Sequence, residues 1–231
     1  MQVVILAGGL GTRLGEITKS RPKSMLKICG QTFLEHQLEF ISQGGITDIV
    51  LCIGHMGEQI ERHFGNGRSY GVNIRYSFED KLLGTAGALK QAEALLGETF
   101  FTIYGDSYLF LNFSLLMAQL ESRKKMALMT VFKNYNLFDS SNTAIEGNLV
   151  KRYGKRQKTE DMIYIDYGAN AFRKEVLNMI PENQLYSLEE LFPQLIDKEE
   201  LLAFEVNERF YEIGSPQGLR DFERYVAEKT T

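Results

Sequence analysis

The sequence predicts an α/β fold, a single domain built on a doubly wound mixed sheet that is mostly parallel. Short apolar runs alternate with helical patterns through the first half of the chain, as βαβ units require. A glycine-rich turn follows the first apolar run. At 231 residues, with 44% apolar and 24% charged residues, the chain is long enough for one large core. In such sheets ligands bind beyond the carboxyl ends of the strands, so the site is expected there.

The first half contains four predicted strands and three predicted helices. The strands are residues 3–6, 49–53, 74–77 and 100–104. The helices are residues 33–44, 57–64 and 86–96. In the first of them Phe33, Leu34, Leu38 and Ile41 recur with helical spacing. That helix is expected to end at Gly44, since helices commonly stop at glycine.

The second half is more mixed. Residues 126–132 and 163–165 are strand-like, and residues 142–150 resemble a hairpin turning at Gly147-Asn148. Residues 151–161 are polar and basic, which indicates a mobile loop. A helix over 188–195 is expected to start at Ser187, with Glu190 three positions on. A terminal helix over 217–227 is expected to pack by Leu219, Phe222 and Val226.

The first glycine loop carries the clearest functional signal. Residues 3–6 run straight into Gly8, Gly9 and Gly11, where backbone N–H groups can cradle phosphate oxygens. Five cations follow and only Glu16 opposes them: Arg13, Lys19, Arg21, Lys23 and Lys27. The chain as a whole has a formal charge of −4. The loop lacks the Gly-Lys-Ser/Thr of a P-loop and the spacing of a dinucleotide fingerprint, so a different polyphosphate site is predicted.

Composition and the distribution of apolar and charged residues argue against a membrane protein and against a nucleic-acid-binding protein. No apolar run is long enough for a membrane span, and no leader segment precedes the first strand, so we expect a cytoplasmic protein with no membrane partner. The acidic balance argues against nucleic acid. Cys29 and Cys52 are interpreted as core thiols of a reducing compartment. His36, His55 and His63 lack metal-site spacing.

The motifs resemble those of the sugar-1-phosphate nucleotidyltransferases, also called NDP-sugar pyrophosphorylases. The signature G-G-x-G-T-R-L occurs at residues 8–14 and P-K-x-M at residues 22–25. Further matches are Gly84-Thr85-Ala86-Gly87, Tyr104-Gly105-Asp106, Tyr167-Gly168 and Ile213-Gly214-Ser215-Pro216. The chain looks similar to short bacterial members such as heptose-1-phosphate guanylyltransferases and the muramic-acid-1-phosphate uridylyltransferase. The resemblance implies a Rossmann-like, GT-A-like fold with a nucleotide half over about 1–110 and a sugar-phosphate half over about 111–231.

The resemblance also implies the reaction. A sugar 1-phosphate attacks the α-phosphorus of a nucleoside triphosphate, pyrophosphate leaves, and the NDP-sugar serves cell-surface glycan synthesis. No protein nucleophile is needed; the enzyme must screen and align two anions, with Mg²⁺ as cofactor. GTP, UTP, CTP and dTTP all remain open as the donor, and so does a homodimer.

Catalytic roles follow from the same resemblance. Arg13 is expected on the triphosphate and the leaving pyrophosphate, and Lys23 on the α-phosphate or the sugar phosphate. Asp106 is expected to hold Mg²⁺, which prefers oxygen ligands. Glu212 is the candidate second metal ligand, although many relatives have Asp before x-Gly-Thr-Pro where this chain has Glu before Ile-Gly-Ser-Pro.

Binding residues complete the prediction. The expected nucleotide-binding residues are Leu6, Ala7, Gly8, Gly9, Gly11, Thr12, Gly84 and Thr85, with Thr85 also expected to cap its own helix. The expected sugar-phosphate residues are Asn142, Lys155, Gly168 and Glu189, with Lys158 as the alternative to Lys155.

Two other classes of protein remain open. A glycosyltransferase would also use a nucleotide-binding α/β sheet, but Asp106-Ser107-Tyr108 does not supply its D-x-D motif. A regulatory protein that binds the nucleotide without catalysis would be expected to lack one of Arg13, Lys23 and Asp106.

Overall fold

The computed structural model describes residues 1–9, 11–154 and 158–229, apart from the side chains of Thr12 and Arg13. These residues form two compact units. The first comprises residues 1–82, 103–108 and those from 210 onward, and the second comprises residues 83–102 and 109–209. Within the described parts, no helix combines the length and apolar character of a membrane span.

The elements alternate as the sequence predicts. The strands are β1 Gln2–Leu6, β2 Lys27–Ile28, β3 Gln31–Thr32, β4 Asp48–Ile53, β5 Asn73–Phe78, β6 Thr99–Tyr104, β7 Ser107–Tyr108, β8 Ala127–Lys133, β9 Thr143–Glu146, β10 Leu149–Tyr153, β11 Tyr164–Arg173, β12 Leu201–Val206 and β13 Tyr211–Glu212. The α-helices are α1 Phe33–Gln43, α2 Gly57–Phe64, α3 Gly84–Gln91, α4 Phe113–Arg123, α5 Leu188–Asp197 and α6 Pro216–Lys229. The 3₁₀ helices are Thr12–Thr18, Lys23–Met25, Arg68–Tyr70, Glu93–Leu95 and Lys174–Met179.

Parallel pairing organises the first unit. β1 pairs with β4 and β4 with β5, all parallel, with Val4 opposite Val50. Val3, Val4 and Ile5 are fully buried, as expected for a parallel strand covered on both faces. The carboxyl ends of these strands therefore share one edge, which is where the glycine loop begins.

Helix α6 closes the first unit through the residues predicted for it. Phe222 is fully buried and meets Phe33 edge to face, with ring centroids 5.1 Å apart. Leu219 and Val226 pack against the same apolar cluster. The predicted packing face of the terminal helix is confirmed.

Mixed pairing organises the second unit, whose strands follow the order β11-β8-β12-β10-β9. β8 and β12 are parallel, while β11 with β8, β12 with β10 and β10 with β9 are antiparallel. The predicted hairpin is present as β9 and β10, turning at Gly147 with φ 60°. Helix α5 begins after Ser187, whose N–H and hydroxyl both donate to the Glu190 carboxylate at 2.8 Å.

Several predicted boundaries are wrong, each for an identifiable reason. The strand expected at 163–165 continues to Arg173, because Asp166, Gly168 and Asn170 interrupt the apolar pattern without ending the strand. The loop expected over 151–161 is wrong at its start, since β10 runs to Tyr153, and residues 155–157 of that expected loop lie outside the described residues. The helix expected over 86–96 stops at Gln91 and resumes as a short 3₁₀ helix.

Three further features were not predicted. Helix α4 and strand β12 had no assigned pattern. Cys29 is exposed in the turn between β2 and β3 with φ 50°, so the core-thiol interpretation is right for Cys52 and wrong for Cys29.

Candidate active site

Tight backbone contacts hold the glycine loop at the end of β1. The N–H of Ala7 donates to the carbonyl of Cys52 at 2.8 Å. A Cβ at Gly8 would meet the Glu79 carboxylate, so any larger residue there would require that flexible side chain to move. Gly11 has φ 65°, a left-handed conformation that glycine adopts without strain, and the Thr18 hydroxyl donates to its carbonyl at 3.0 Å.

The end of β6 brings a carboxylate to the same edge. The N–H of Gly105 donates to the carbonyl of Leu6 at 2.9 Å, and a Cβ at Gly105 would lie 2.9 Å from that oxygen. This close approach requires glycine, and it places Asp106 directly beside the start of the glycine loop.

Lys23 reaches Asp106 from the other side of the loop. It opens a 3₁₀ helix, Lys23–Met25, that follows Pro22. Its Nζ lies 2.5 Å from Oδ2 of Asp106, and the two side chains are 17% and 23% exposed. A partly buried ion pair is thus formed by two of the three residues predicted to be catalytic. The third, Arg13, has its side chain outside the described residues, as does Thr12.

Glu212 lies next to Asp106 through a two-stranded ladder. β13 pairs with β7 so that Glu212 is opposite Ser107, and the N–H of Ile213 donates to the carbonyl of Asp106 at 2.9 Å. The Glu212 carboxylate accepts the N–H of Gly214 at 2.5 Å and the hydroxyl of Ser215. It therefore already organises the turn that leads into α6.

A pocket of about 450 Å³ opens beside Gly8. Its lining residues are Gly8, Gly54, His55, Met56, Glu58, Phe78, Glu79, Asp80, Lys81 and Leu82. Three of them are acidic and one is a lysine. Burial raises the pKa of the Cys52 thiol nearby, and the negative charge of Glu79 raises it further.

The predicted nucleotide-binding residues Gly84 and Thr85 lie in the second unit and take part in its packing. Gly84 has φ 74°, and a Cβ there would lie 2.7 Å from the carbonyl oxygen of Tyr186. The Thr85 hydroxyl accepts the N–H of Leu188 at 2.8 Å, so it supports the start of α5. The expectation that Thr85 caps its own helix is wrong, because α3 starts one residue before it without a side-chain cap.

Two of the predicted sugar-phosphate residues, Asn142 and Gly168, are linked through Asp166. Asn142 is 6% exposed, and its Oδ1 accepts the N–H of Asp166 at 2.9 Å. Asp166 in turn accepts the N–H of Gly168 at 3.0 Å. Burial raises the pKa of Tyr153, and the negative charges of Asp166 and Glu189 raise it further.

The fourth predicted sugar-phosphate residue, Lys155, lies outside the described residues. Its alternative, Lys158, is exposed and donates to the carbonyl of Ser141. Tyr153 packs edge to face against Phe192, with ring centroids 4.9 Å apart.

Sequence reasoning missed Glu79, Asp166 and Tyr153. Glu79 directly follows β5, so its place at the carboxyl end of a parallel strand was a usable signal. Asp166 and Tyr153 had no such signal, because each lies in a part of a strand that the hydrophobic pattern of the sequence did not predict.

Comparison with known proteins gives consistent results. The nucleotidyl transferase family model matches residues 2–229. The UTP–glucose-1-phosphate uridylyltransferase of Synechocystis is 32% identical over 217 residues, covering 85% of this chain and 55% of that protein. The D-glycero-alpha-D-manno-heptose 1-phosphate guanylyltransferase of Campylobacter jejuni is 30% identical over 224 residues, covering 96% of this chain and 98% of that protein.

The fold matches solved structures as well. Two crystal structures of HddC from Yersinia pseudotuberculosis, one complexed with GMP-PN, superpose with TM-scores of 0.82 and 0.80. Both are 25% identical and cover 97% of this chain and 99% of HddC. The predicted α/β nucleotidyltransferase fold with a mixed sheet is confirmed. The chain spans about half the length of the Synechocystis relative and nearly all of the Campylobacter one, and with a match over residues 2–229 it belongs to the nucleotidyl transferase family.

Proposed function

We propose that this protein transfers a nucleotidyl group from a nucleoside triphosphate to a sugar 1-phosphate and releases pyrophosphate. The observation that supports this most is the Lys23–Asp106 ion pair beside the start of the glycine loop. In the reaction, a sugar-phosphate oxygen bonds to the α-phosphorus while the bond from that phosphorus to the bridging oxygen of pyrophosphate breaks. The protein has to align two anions and neutralise the charge that develops on the leaving group.

The residues near Asp106 fit Mg²⁺. This ion prefers carboxylate oxygens, keeps several waters, and is often held by one or two carboxylates together with substrate phosphates. Two carboxylates would be supplied by Asp106, which directly precedes β7, and by Glu212, which lies opposite Ser107 in the β7–β13 ladder. The described residues contain no cluster of three or more His, Cys, Asp or Glu side chains that would form a site by itself. When bound, the ion would supply positive charge to the phosphates.

Each remaining role falls to a residue of this chain. Lys23 and Arg13 would neutralise phosphate oxygens, a task that suits a point charge and a planar fork respectively. Gly8, Gly9 and Gly11 would present N–H groups to the triphosphate. The sugar phosphate would be held by Asn142, Gly168, Glu189 and Lys155.

Pyrophosphate release tests the proposal directly. Purified protein is incubated with each of GTP, UTP, CTP and dTTP against glucose, mannose and heptose 1-phosphates, with Asp106→Asn as the inactive control. Release that needs both substrates, and that falls sharply in the control, is expected. If the protein binds a nucleotide but releases no pyrophosphate with any combination of nucleoside triphosphate and sugar 1-phosphate, the result favours the regulatory protein instead.

We further propose that the base is guanine and that Glu79 selects it. The pocket beside Gly8 is acidic, so it suits the neutral, donor-bearing part of a nucleotide rather than its phosphates. Guanine presents N1–H and the N2 amino group side by side, and a carboxylate can accept both. Uracil and thymine present a single N–H there, between two carbonyls. The full-length Campylobacter relative is a guanylyltransferase, and a related HddC structure contains GMP-PN.

The donor preference of Glu79→Gln checks the base assignment. The glutamine amide replaces one carboxylate oxygen, an acceptor, by an NH₂ donor. This change should lower kcat/KM for GTP by about tenfold or more, because a hydrogen bond to a charged group is worth roughly 1.5–3 kcal/mol. The loss for UTP should be smaller. Glu58→Gln, an exposed change in the same pocket, serves as the control. Equal losses for GTP and UTP would contradict base selection by Glu79.

A further inference from the structure

Without substrate, Lys23 already has a partner, and that partner is the residue proposed to bind the metal. Its ammonium lies 2.5 Å from Oδ2 of Asp106, in a partly buried position. The other oxygen, Oδ1, is 3.5 Å from the hydroxyl of Ser107. We propose that Lys23 acts as a latch on Asp106 that keeps metal out of the empty enzyme, so that metal enters with the nucleotide and not before it. The latch rests on the proposed function, since it takes Asp106 as a metal ligand.

The two cations exclude one another for an electrostatic reason. Mg²⁺ binds its ligand oxygens at about 2.0–2.1 Å. An ammonium already in contact with the same oxygen would then lie within a few ångströms of a divalent ion, at a site that water screens only partly. Metal binding to Asp106 therefore requires the Lys23 side chain to leave.

The structure permits that movement in the side chain alone. The backbone of Lys23 is fixed, because its carbonyl accepts the N–H of Leu26 at 3.0 Å and the N–H of Met25 donates to the carbonyl of Pro22 at 2.9 Å. The four-carbon stem of a lysine is flexible. A different anion within reach is enough to turn the ammonium away from the carboxylate.

The triphosphate is that anion. When Lys23 turns to a phosphate oxygen, Asp106 becomes available to the metal, and the ion then meets both the carboxylate and the phosphates. Nucleotide and metal should therefore each increase the affinity for the other by the same factor, as linkage requires. Lys23 would therefore set the order in which nucleotide and metal bind, in addition to contacting phosphate.

Titration of Mn²⁺ without any nucleotide tests the latch, with free Mn²⁺ followed by electron paramagnetic resonance. Lys23→Met removes the charge and keeps an unbranched side chain that is one atom shorter. Its Kd for Mn²⁺ should be lower than that of the parent by about tenfold, the scale expected when a charge-assisted pair is removed. The gain should vanish in Lys23→Met/Asp106→Asn. Lys23→Gln is a second variant, in case methionine disturbs the fold.

Lys90→Met is the matched control. Lys90 forms another lysine–carboxylate pair of similar burial, with Nζ 2.7 Å from Glu93 and side chains 13% and 36% exposed. Its loss should leave Mn²⁺ affinity unchanged. A parent-like Kd in both Lys23 variants would overturn the latch. A gain that persists when Asp106 is replaced would overturn it too, because the metal would then not be using that carboxylate. Neither result bears on pyrophosphate release, which tests the proposed function separately.

Discussion

Lys23 and Asp106 are 83 positions apart in the chain, and local geometry on each side brings them together. Gly105 permits the close approach of β6 to the end of β1, and Pro22 starts the short helix that carries Lys23. Motif spacing could predict that both side chains belong to one site. It could not predict that they contact one another, because that contact depends on the side-chain path of a flexible lysine.

Arg13→Ala and Lys23→Ala should each lower turnover by about two orders of magnitude or more with the fold intact. The reason is that a lost transition-state donor to developing charge costs roughly 3–4 kcal/mol. Steady-state pyrophosphate release measures turnover, and thermal unfolding checks the fold. Lys90→Ala, remote from the glycine loop in sequence, is the control. Near-normal turnover in either variant would reject the role assigned to that residue.

Glu212→Gln separates two roles of one carboxylate. Because Glu212 accepts hydrogen bonds from Gly214 and Ser215, a purely structural role would lower the unfolding midpoint and leave the metal dependence unchanged. As a metal ligand, its replacement should cause a clear loss of activity that high Mg²⁺ or Mn²⁺ partly restores. We expect the second pattern. A Mg²⁺ titration of activity identical to that of the parent would show that Glu212 is not a ligand.

At the scale of elements, periodicity predicted the first unit better than the second. The parallel strands β1 and β4 are short apolar runs next to glycines, so their pattern is complete within each segment. β11 is the opposite case. Polar residues recur along it, its register with β8 shifts between Asp166 and Asn170, and its identity as a strand depends on neighbours distant in sequence.

One of the polar residues in the interior of β11 is a buried asparagine, and its effect on stability can be measured. Asn170 is 1% exposed, and neither amide atom has a hydrogen-bond partner within the described part of the chain. An unsatisfied buried polar group costs about 1–3 kcal/mol, whereas an apolar group of the same shape avoids that cost. Asn170→Leu should therefore raise the free energy of unfolding by about 1 kcal/mol in urea titrations.

Asn142→Leu is the matched comparison for that substitution. Asn142 is also a buried asparagine, but its Oδ1 accepts hydrogen bonds from the N–H of Asp166 and the hydroxyl of Thr143, both at 2.9 Å. Its replacement leaves two donors unpaired and should lower the free energy of unfolding. Equal destabilisation by both leucine variants would show that the Asn170 amide is satisfied in solution.

At the scale of the whole molecule, charge is unevenly distributed. The chain has 26 Lys and Arg against 30 Asp and Glu, yet residues 13–27 contain five cations and one acid. Positive charge is therefore concentrated in this segment of an acidic protein, and its attraction for a polyanion is weakened by salt because the Debye length is about 8 Å at physiological ionic strength. Nucleotide affinity should fall as salt rises, and isothermal titration at several salt concentrations measures it.

Resistance of the whole fold to acid should depend on Glu35. Its carboxylate accepts the N–H of Thr32 at 2.5 Å, a ring nitrogen of His63 at 3.0 Å and the hydroxyl of Tyr70 at 3.1 Å, so it joins α1, α2 and the 3₁₀ helix Arg68–Tyr70. Burial by itself raises the pKa of Glu35, but the hydrogen bonds from His63, Thr32 and Tyr70 outweigh it and lower that pKa.

The sign of the pH dependence follows from that lowered pKa. A carboxyl whose pKa is lower in the folded state stabilises the fold above its unfolded pKa of about 4.3, and the contribution is lost as the pH falls through the folded value. The thermal midpoint should thus change little between about pH 7 and pH 5 and decrease below about pH 4.3. Glu35→Gln should start from a lower midpoint at pH 7 and show a shallower acid decrease. Parallel acid profiles for parent and variant would mean that Glu35 is equally easy to protonate in the folded and unfolded chains, and that this cluster does not couple the three helices to pH.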